Sequence, residues 1–262
     1  MARIHFLGTC SGTEPMPNMH HCSLALEVNG IYYFFDAGEN CAHRALTSGM
    51  DMTQIRAVFV SHPHLDHTGG MANLLACMRK LVWRYKKPLV NGNSLDVYFP
   101  DAAVMEAIKT IACGNAENNN KFVFTLNTHG IFDGLLYEDE NVRVTALHNR
   151  HLGEDGSKGW HSYSFLVEYE GRRLIFSGDL AEPCEIDPLV QPGDYLIMET
   201  GHHAVKDVCE YAISRGAAAL RFNHHGREIL GDRPAAEKLI SDYAASANIS
   251  IKLCYDGMIE VV

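Results

Sequence analysis

The strongest constraint on this chain is a six-residue cluster at a strand-to-helix junction. Val60-Ser61-His62-Pro63-His64-Leu65-Asp66-His67-Thr68-Gly69-Gly70 follows the β-rich run Ala57-Val58-Phe59-Val60 and precedes a helical pattern starting at Met71. Four side chains with ligating atoms fall within six residues, and such a turn splays them toward two neighbouring positions. His62 and His64 point to one side; Asp66 and His67 open toward another. Imidazole and carboxylate at this density suit Zn²⁺, Mn²⁺ or Fe. The chain has fifteen histidines, and eleven of them cluster at 20–21, 62/64/67, 148/151, 202–203 and 224–225. Histidine is the commonest metal ligand and the acid/base of neutral pH, so this distribution points to chemistry.

A length of 262 residues suits one layered domain, taken here as residues 1–262. Apolar residues at 47% and charged residues at 21% argue against disorder and fibres. The 22 Lys and Arg against 32 Asp and Glu give a charge of −10, which disfavours nucleic acid as a partner. The densest basic patch, Arg79-Lys80 through Arg84 to Lys86-Lys87, reads as a solvated helix face. Eight scattered cysteines without a CxxC pair read as reduced thiols. The sequence contains no apolar run of the roughly 18 residues a membrane span needs. The start, Met1-Ala2-Arg3-Ile4-His5-Phe6-Leu7-Gly8, reads as a strand running into a glycine turn, so the expected location is cytoplasmic, with no membrane partner.

Strands are expected near 3–7, 22–28, 31–36, 56–61, 95–99, 121–126, 142–147, 162–169, 172–177, 194–198 and 217–222, and helices near 68–82, 101–112, 204–215 and 234–247. Asn29-Gly30 and Glu170-Gly171 read as hairpin turns. Asp101 can cap the second helix and Pro234 fits the first turn of the last. Residues 114–120 and 148–161 read as loops. Strand pairs dominate, with helices late in each half, which suggests two mixed sheets with helices outside.

At the His62–His67 cluster the chain resembles the metallo-β-lactamase-fold hydrolases, whose signature is HxHxDH. Phe35-Asp36-Ala37-Gly38 resembles the family's first motif. Ser177-Gly178-Asp179 resembles the strand-terminal Asp shared by two metals, and Arg221-Phe222-Asn223-His224 the last metal histidine. The resemblance implies an α/β (α+β) fold, a four-layer αβ/βα sandwich with the site at one edge between two sheets. It also implies two divalent transition-metal ions, Zn²⁺ foremost, with Mn²⁺ or Fe²⁺ open. His62, His64 and His151 would hold one and Asp66, His67 and His224 the other, with Asp179 shared and Asp36 orienting a ligand from behind. A bridging hydroxide formed near neutral pH would be the nucleophile. The third and last motifs are doubled; the resemblance implies His151 and His224 as ligands, with His148 and His225 as supports.

Phe6-Leu7-Gly8-Thr9, Asp36-Ala37-Gly38-Glu39 and Glu199-Thr200-Gly201-His202 resemble the RNase Z and small phosphodiesterase branch. That implies catalytic roles for Asp66 and for His202, the latter as general acid, with Glu199 behind it; the alternative for His202 is a loop histidine capping the helix at Ala204. Unlike RNase Z, the chain shows no long Gly- and basic-rich arm between Gly70 and Val142. A small-molecule phosphodiester is therefore the expected substrate, with Trp160, His161 and Tyr163 as candidate pocket residues. A lactonase or thioesterase, a tRNA 3′-processing endonuclease and a metal-binding accessory protein are the alternatives. A homodimer is left open.

Overall fold

A computed structural model describes residues 1–12, 16–114, 122–154, 156, 159–247 and 249–262. The chain divides into two compact units, one of residues 1–8, 20–131 and 256–262, the other of residues 9–19 and 132–255.

The first unit holds a seven-stranded sheet ordered β14-β1-β2-β3-β4-β5-β6. Its strands are β1 Arg3–Gly8, β2 Ser23–Val28, β3 Ile31–Phe35, β4 Ile55–Phe59, β5 Ser94–Tyr98, β6 Thr125–His129 and β14 Ile259–Val261. The helices α1 Cys41–Thr47, α2 Leu65–Thr68, α3 Met71–Tyr85, α4 Val90–Asn93 and α5 Ala102–Cys113 complete it. Met71, Leu74, Leu75, Met78 and Val82 recur on one face of α3 at helical spacing. They pack with Met105 and Ile108 of α5 and Ala42 of α1 against Phe34, Val58 and Val97 on one face of the sheet. The other face carries a row of stacked rings, Phe35, Phe59, Tyr98 and His129, one from each of four adjacent strands.

The second unit holds another seven-stranded sheet, ordered β13-β12-β11-β10-β9-β8-β7. Its strands are β7 Gly134–Glu138, β8 Arg143–His148, β9 Tyr163–Tyr169, β10 Arg172–Phe176, β11 Tyr195–Glu199, β12 Ala219–Asn223 and β13 Ser250–Leu253. Val205, Val208 and Cys209 of α6 Val205–Ser214, and Ala236 and Ile240 of α8 Arg233–Ala247, pack on Leu166, Ile175, Leu196 and Phe222. A short α7, Arg227–Gly231, follows β12.

Both sheets are mixed. From β14 to β6 the pairings run antiparallel three times and then parallel three times. From β7 to β13 the same sequence recurs. Each unit turns its middle hairpin on a pair with positive φ, Asn29 (54°) with Gly30 (78°) and Glu170 (45°) with Gly171 (74°), the backbone that a tight two-residue turn requires.

Most expected strands and helices stand within a few residues of their places. The expected strand at 121–126 is displaced to Thr125–His129; residue 121 and the expected loop at 115–120 lie outside the described residues. Edge strands β7, β13 and β14 and helices α1, α2, α4 and α7 were not expected. Asp101 caps α5, its Oδ1 accepting from the amides of Ala103 (2.9 Å) and Val104 (3.0 Å). The basic stretch lies on the exposed side of α3 and just beyond it, as a solvated face. All eight cysteines are free thiols. No helix among the described residues is long and apolar enough to cross a membrane.

Candidate metal centre

In the first unit, β4 runs out into Ser61-His62, and the next residues wind into α2. His62 and His67 are fully buried, while His64 is exposed. The His62 ring lies 4.0 Å from that of His67 and 4.7 Å from that of His64, centroid to centroid. Asp66 Oδ2 is 3.4 Å from His67 Nε2.

Asp36 sits directly behind this cluster. It follows β3 with φ of 59°, a left-handed backbone that costs a non-glycine residue energy and is retained where surroundings enforce it. Its Oδ1 accepts from the Ser61 amide (2.7 Å), and its Oδ2 from Ser61 Oγ (2.9 Å) and His67 Nδ1 (2.7 Å). The Asp36 bond assigns the proton of His67 to Nδ1 and leaves the Nε2 lone pair for a ligand, the carboxylate–histidine arrangement common behind metal ligands. Ser61 also meets His62 Nδ1 at 3.0 Å. Sequence reasoning named Asp36 but missed Ser61, whose role appears only when β3 and β4 lie side by side. Buried Cys22 completes a second donor group there, with Asp36 and His67.

In the second unit, β8, β10, β11 and β12 all run the same way, so they end at one side of the sheet. From these ends come His151, Asp179, Glu199 with His202, and His224. One donor atom from each of Asp179, Glu199, His202 and His224 falls within 4.8 Å of all the others. His224 Nδ1 stands 3.4 Å from Asp179 Oδ1 and 3.8 Å from Glu199 Oε2. His151 Nε2 is 3.7 Å from Asp179 Oδ2, and its ring stands 4.8 Å from that of His202.

His224, like Asp36, has a positive φ (50°). Gly201 gives its ring room: a Cβ there would lie 2.6 Å from His224 Nδ1. Glu199 is buried, which pushes its carboxyl pKa up, yet the hydrogen bond from His202 and the nearby His224 imidazole outweigh this and hold it down at about 2. The hydrogen bond with Glu199 in turn raises the pKa of His202. His202 donates its amide to Glu199 Oε2 at 2.9 Å and has Nδ1 3.1 Å from Oε1. Bound cations would oppose that rise in His202.

The doubled histidines separate. His148 engages Asp133, with Nδ1 2.6 Å from Oδ2, and belongs to no donor group among the described residues, whereas His151 meets Asp179. His225 is fully buried, and burial lowers its pKa to about 4. Its Nε2 bonds the Cys254 carbonyl at 2.9 Å, and its backbone pairs with Thr9 and Ser11, so it anchors the loop after His224. Glu199, expected only behind the ligands, stands within the donor group itself. Imidazoles and carboxylates that converge in buried positions, one of them oriented by Asp36, fit divalent transition metals.

Solved structures share this architecture. Bacillus subtilis YhfI, a metallo-β-lactamase fold protein, aligns over 99% of this chain and 98% of its own at a TM-score of 0.76 and 15% identity. The short form of human tRNase Z aligns over 99% of each chain at 0.72 and 19%. A diphosphatase of the PhnP family covers 100% of this chain and 98% of its own at 0.66 and 14%. The protein thus has the metallo-β-lactamase fold. Residues 2–200 match the family described as anti-Pycsar protein Apyc1, and the chain belongs to that family.

Among curated relatives, ribonuclease Z of Shouchella clausii is 27% identical over 95% of this chain and 73% of its own length. Ribonuclease Z of Cyanothece sp. is 31% identical over 56% of this chain, and the chain spans only 43% of that protein. These relatives bear out the resemblance to the RNase Z branch. Their name runs against the expectation that nucleic acid is disfavoured.

Proposed function

We propose that this protein is a metal-dependent phosphodiesterase whose substrate is a small phosphodiester. The observation that carries the reading is the convergence of Asp179, Glu199, His202 and His224 at one end of the second sheet. Following the order of the motifs along the chain, His62, His64 and His151 are assigned to one ion, Asp66, His67 and His224 to a second, and Asp179 to both. The reading keeps residues 1–262 as a single domain. Two divalent ions held there would supply Lewis acidity toward a phosphoryl oxygen and lower the pKa of a water toward neutrality.

The chain's own residues do the rest. Asp36 holds His67 in one tautomer. Glu199 orients His202 through both amide and ring and favours its protonated form, so His202 can deliver a proton to the departing oxygen. Asp66, with a carboxylate beside His67, is the second catalytic candidate, as a ligand that also accepts a hydrogen bond from water. The free thiols support a cytoplasmic setting.

A second reading, tRNA 3′ processing, is favoured by the relatives named ribonuclease Z. The net charge of −10 supports the small substrate instead, since nucleic-acid affinity rests on phosphate neutralisation. A panel of small phosphodiesters, a phosphomonoester, a lactone, a thioester and precursor tRNA, each with Zn²⁺ and with Mn²⁺, decides between them. Turnover of small phosphodiesters with little tRNA cleavage is expected. Efficient processing of precursor tRNA would install the second reading, and lactone turnover alone would discard both.

A further inference from the structure

His151 follows the end of β8 and Asp179 the end of β10, and both sit in segments outside helix and strand. A ligand on such a segment keeps its place only if its backbone is held by groups from elsewhere. The His151 segment is held twice. Beneath it, Asn149 is buried; its Oδ1 accepts the His151 amide (3.2 Å), and its Nδ2 donates to Ser164 Oγ (3.2 Å). Ser164 Oγ donates in turn to the Ser177 carbonyl, at the end of β10. Beside it, Glu185 Oε1 accepts both the Arg150 amide (3.0 Å) and Arg150 Nε (2.6 Å).

The other oxygen of the same carboxylate serves the segment that follows Asp179. Glu185 Oε2 accepts the amides of Ala181 (2.9 Å) and Glu182 (3.2 Å). Part of this is local chemistry. Glu182-Pro183-Cys184-Glu185 forms a capping box on the 3-10 turn Pro183–Ile186, in which the acid at the third position reaches back to the amide of the cap. The Arg150 bonds exceed what a capping box needs. The Glu185 side chain is only 7% accessible, and the next residue, Ile186, is fully buried in the core beside Leu180, so the carboxylate stands on a fixed base. Burial alone would raise its pKa, but the Arg150 side chain and the three amides lower it, so it is an ionised acceptor at neutral pH. Across this bridge His151 Nε2 faces Asp179 Oδ2 at 3.7 Å.

We propose that Glu185 is a positioning residue of the metal centre. By joining the Arg150 backbone to those of Ala181 and Glu182, it locks His151 against Asp179 and strengthens the hold on the ion assigned to His62, His64 and His151. This rests on the ligand assignment proposed above and names what enforces it.

The test equilibrates Zn²⁺-loaded protein against graded chelator and counts the ions kept per chain. Glu185→Gln keeps the volume but turns one acceptor oxygen into an NH₂ donor, so it cannot serve all four donors. It should weaken one of the two ions about 10-fold, the lower end for a group that supports a ligand from behind, and leave the other unchanged. Arg150→Ala removes the Nε bond but not the amide bond, so its loss should be smaller. In a His151→Ala background the affected ion is already gone, and adding Glu185→Gln should not change the one that remains. Equal weakening of both ions, further weakening in that background, or no weakening at all would overturn the proposal.

A second measurement does not depend on metal. In chelator-treated protein, Glu185→Gln should shift or broaden the His151 imidazole signals in a nitrogen-edited NMR spectrum. Those of His225, whose Nε2 bonds the Cys254 carbonyl, should stay in place. Unmoved His151 signals would overturn the lock. If the parent binds no Zn²⁺, or if His151→Ala keeps both ions, the ligand assignment fails and the affinity claim with it, and the imidazole spectrum then decides whether Glu185 positions His151.

Discussion

Asp36 and His224 carry the same backbone signature, a positive φ at the end of a strand, and both belong to groups of potential metal donors. Neither conformation is cheap for a side chain with a Cβ, so the surrounding bonds must hold it. For Asp36 those bonds include its amide to the Phe59 carbonyl, its carbonyl accepting from Ser23 Oγ, and its carboxylate accepting from the Ser61 amide, Ser61 Oγ and His67 Nδ1. Asp36→Ala should therefore lower metal affinity or activity by roughly 10- to 100-fold, the usual range for a group that orients a ligand. Metal titration of the purified variant checks this; unchanged affinity would detach Asp36 from the site. Asp179, assigned to both ions, should behave more severely: Asp179→Ala should abolish turnover and reduce bound metal while the circular dichroism spectrum stays native. The doubled histidines give a paired comparison by elemental analysis, with metal lost in His151→Ala and largely kept in His148→Ala. His202→Ala should slow diesters with alkoxide leaving groups by about 10²–10⁴-fold, as for loss of a general acid, and nitrophenyl diesters far less.

At the scale of elements, the same strand ends serve in both halves. The fourth strand from the antiparallel edge, β3 or β10, leads into a positive-φ turn, Asp36 at 59° or Gly178 at 58°, and its parallel neighbour, β4 or β11, leads into the donor groups at His62 or Glu199. Parallel strands end at one side of their sheet, so short sequence motifs far apart in the chain converge. Gly201→Ala tests how tight that convergence is. The added methyl would press on His224 Nδ1, so metal content should fall even though the segment is a loop. Helix α5 offers a control away from the donors: Asp101→Ala should cost about 1 kcal/mol in denaturant unfolding, the usual loss for an N-cap, with activity kept.

For the whole molecule, a ligand that binds only the folded chain stabilises it by mass action, so chelation should lower the melting temperature and Zn²⁺ or Mn²⁺ should restore it. Reconstituted protein should hold about two ions per chain, the number a two-metal hydrolytic site requires. Less than half an equivalent would remove the dinuclear reading. The hairpin turns joining the apolar β2–β3 and β9–β10 pairs, the amphipathic α3 and the capped α5 were legible in the sequence, because turn chemistry, apolar strand runs and helical periodicity are local. The ligand types were legible too, since His62, His64, Asp66 and His67 are neighbours along the chain. Tertiary structure decided what depends on distant residues meeting. Edge strands β7, β13 and β14 are short and pair on one side only, so their residues carry little pattern of their own. Ser61 acquired a role only through β3 lying beside β4, and Glu199 joined the donors only because β10, β11 and β12 end together. His148 and His151 look equivalent in sequence. Asp133 captures one and Asp179 meets the other, because β7, β8 and β10 bring those carboxylates to different places.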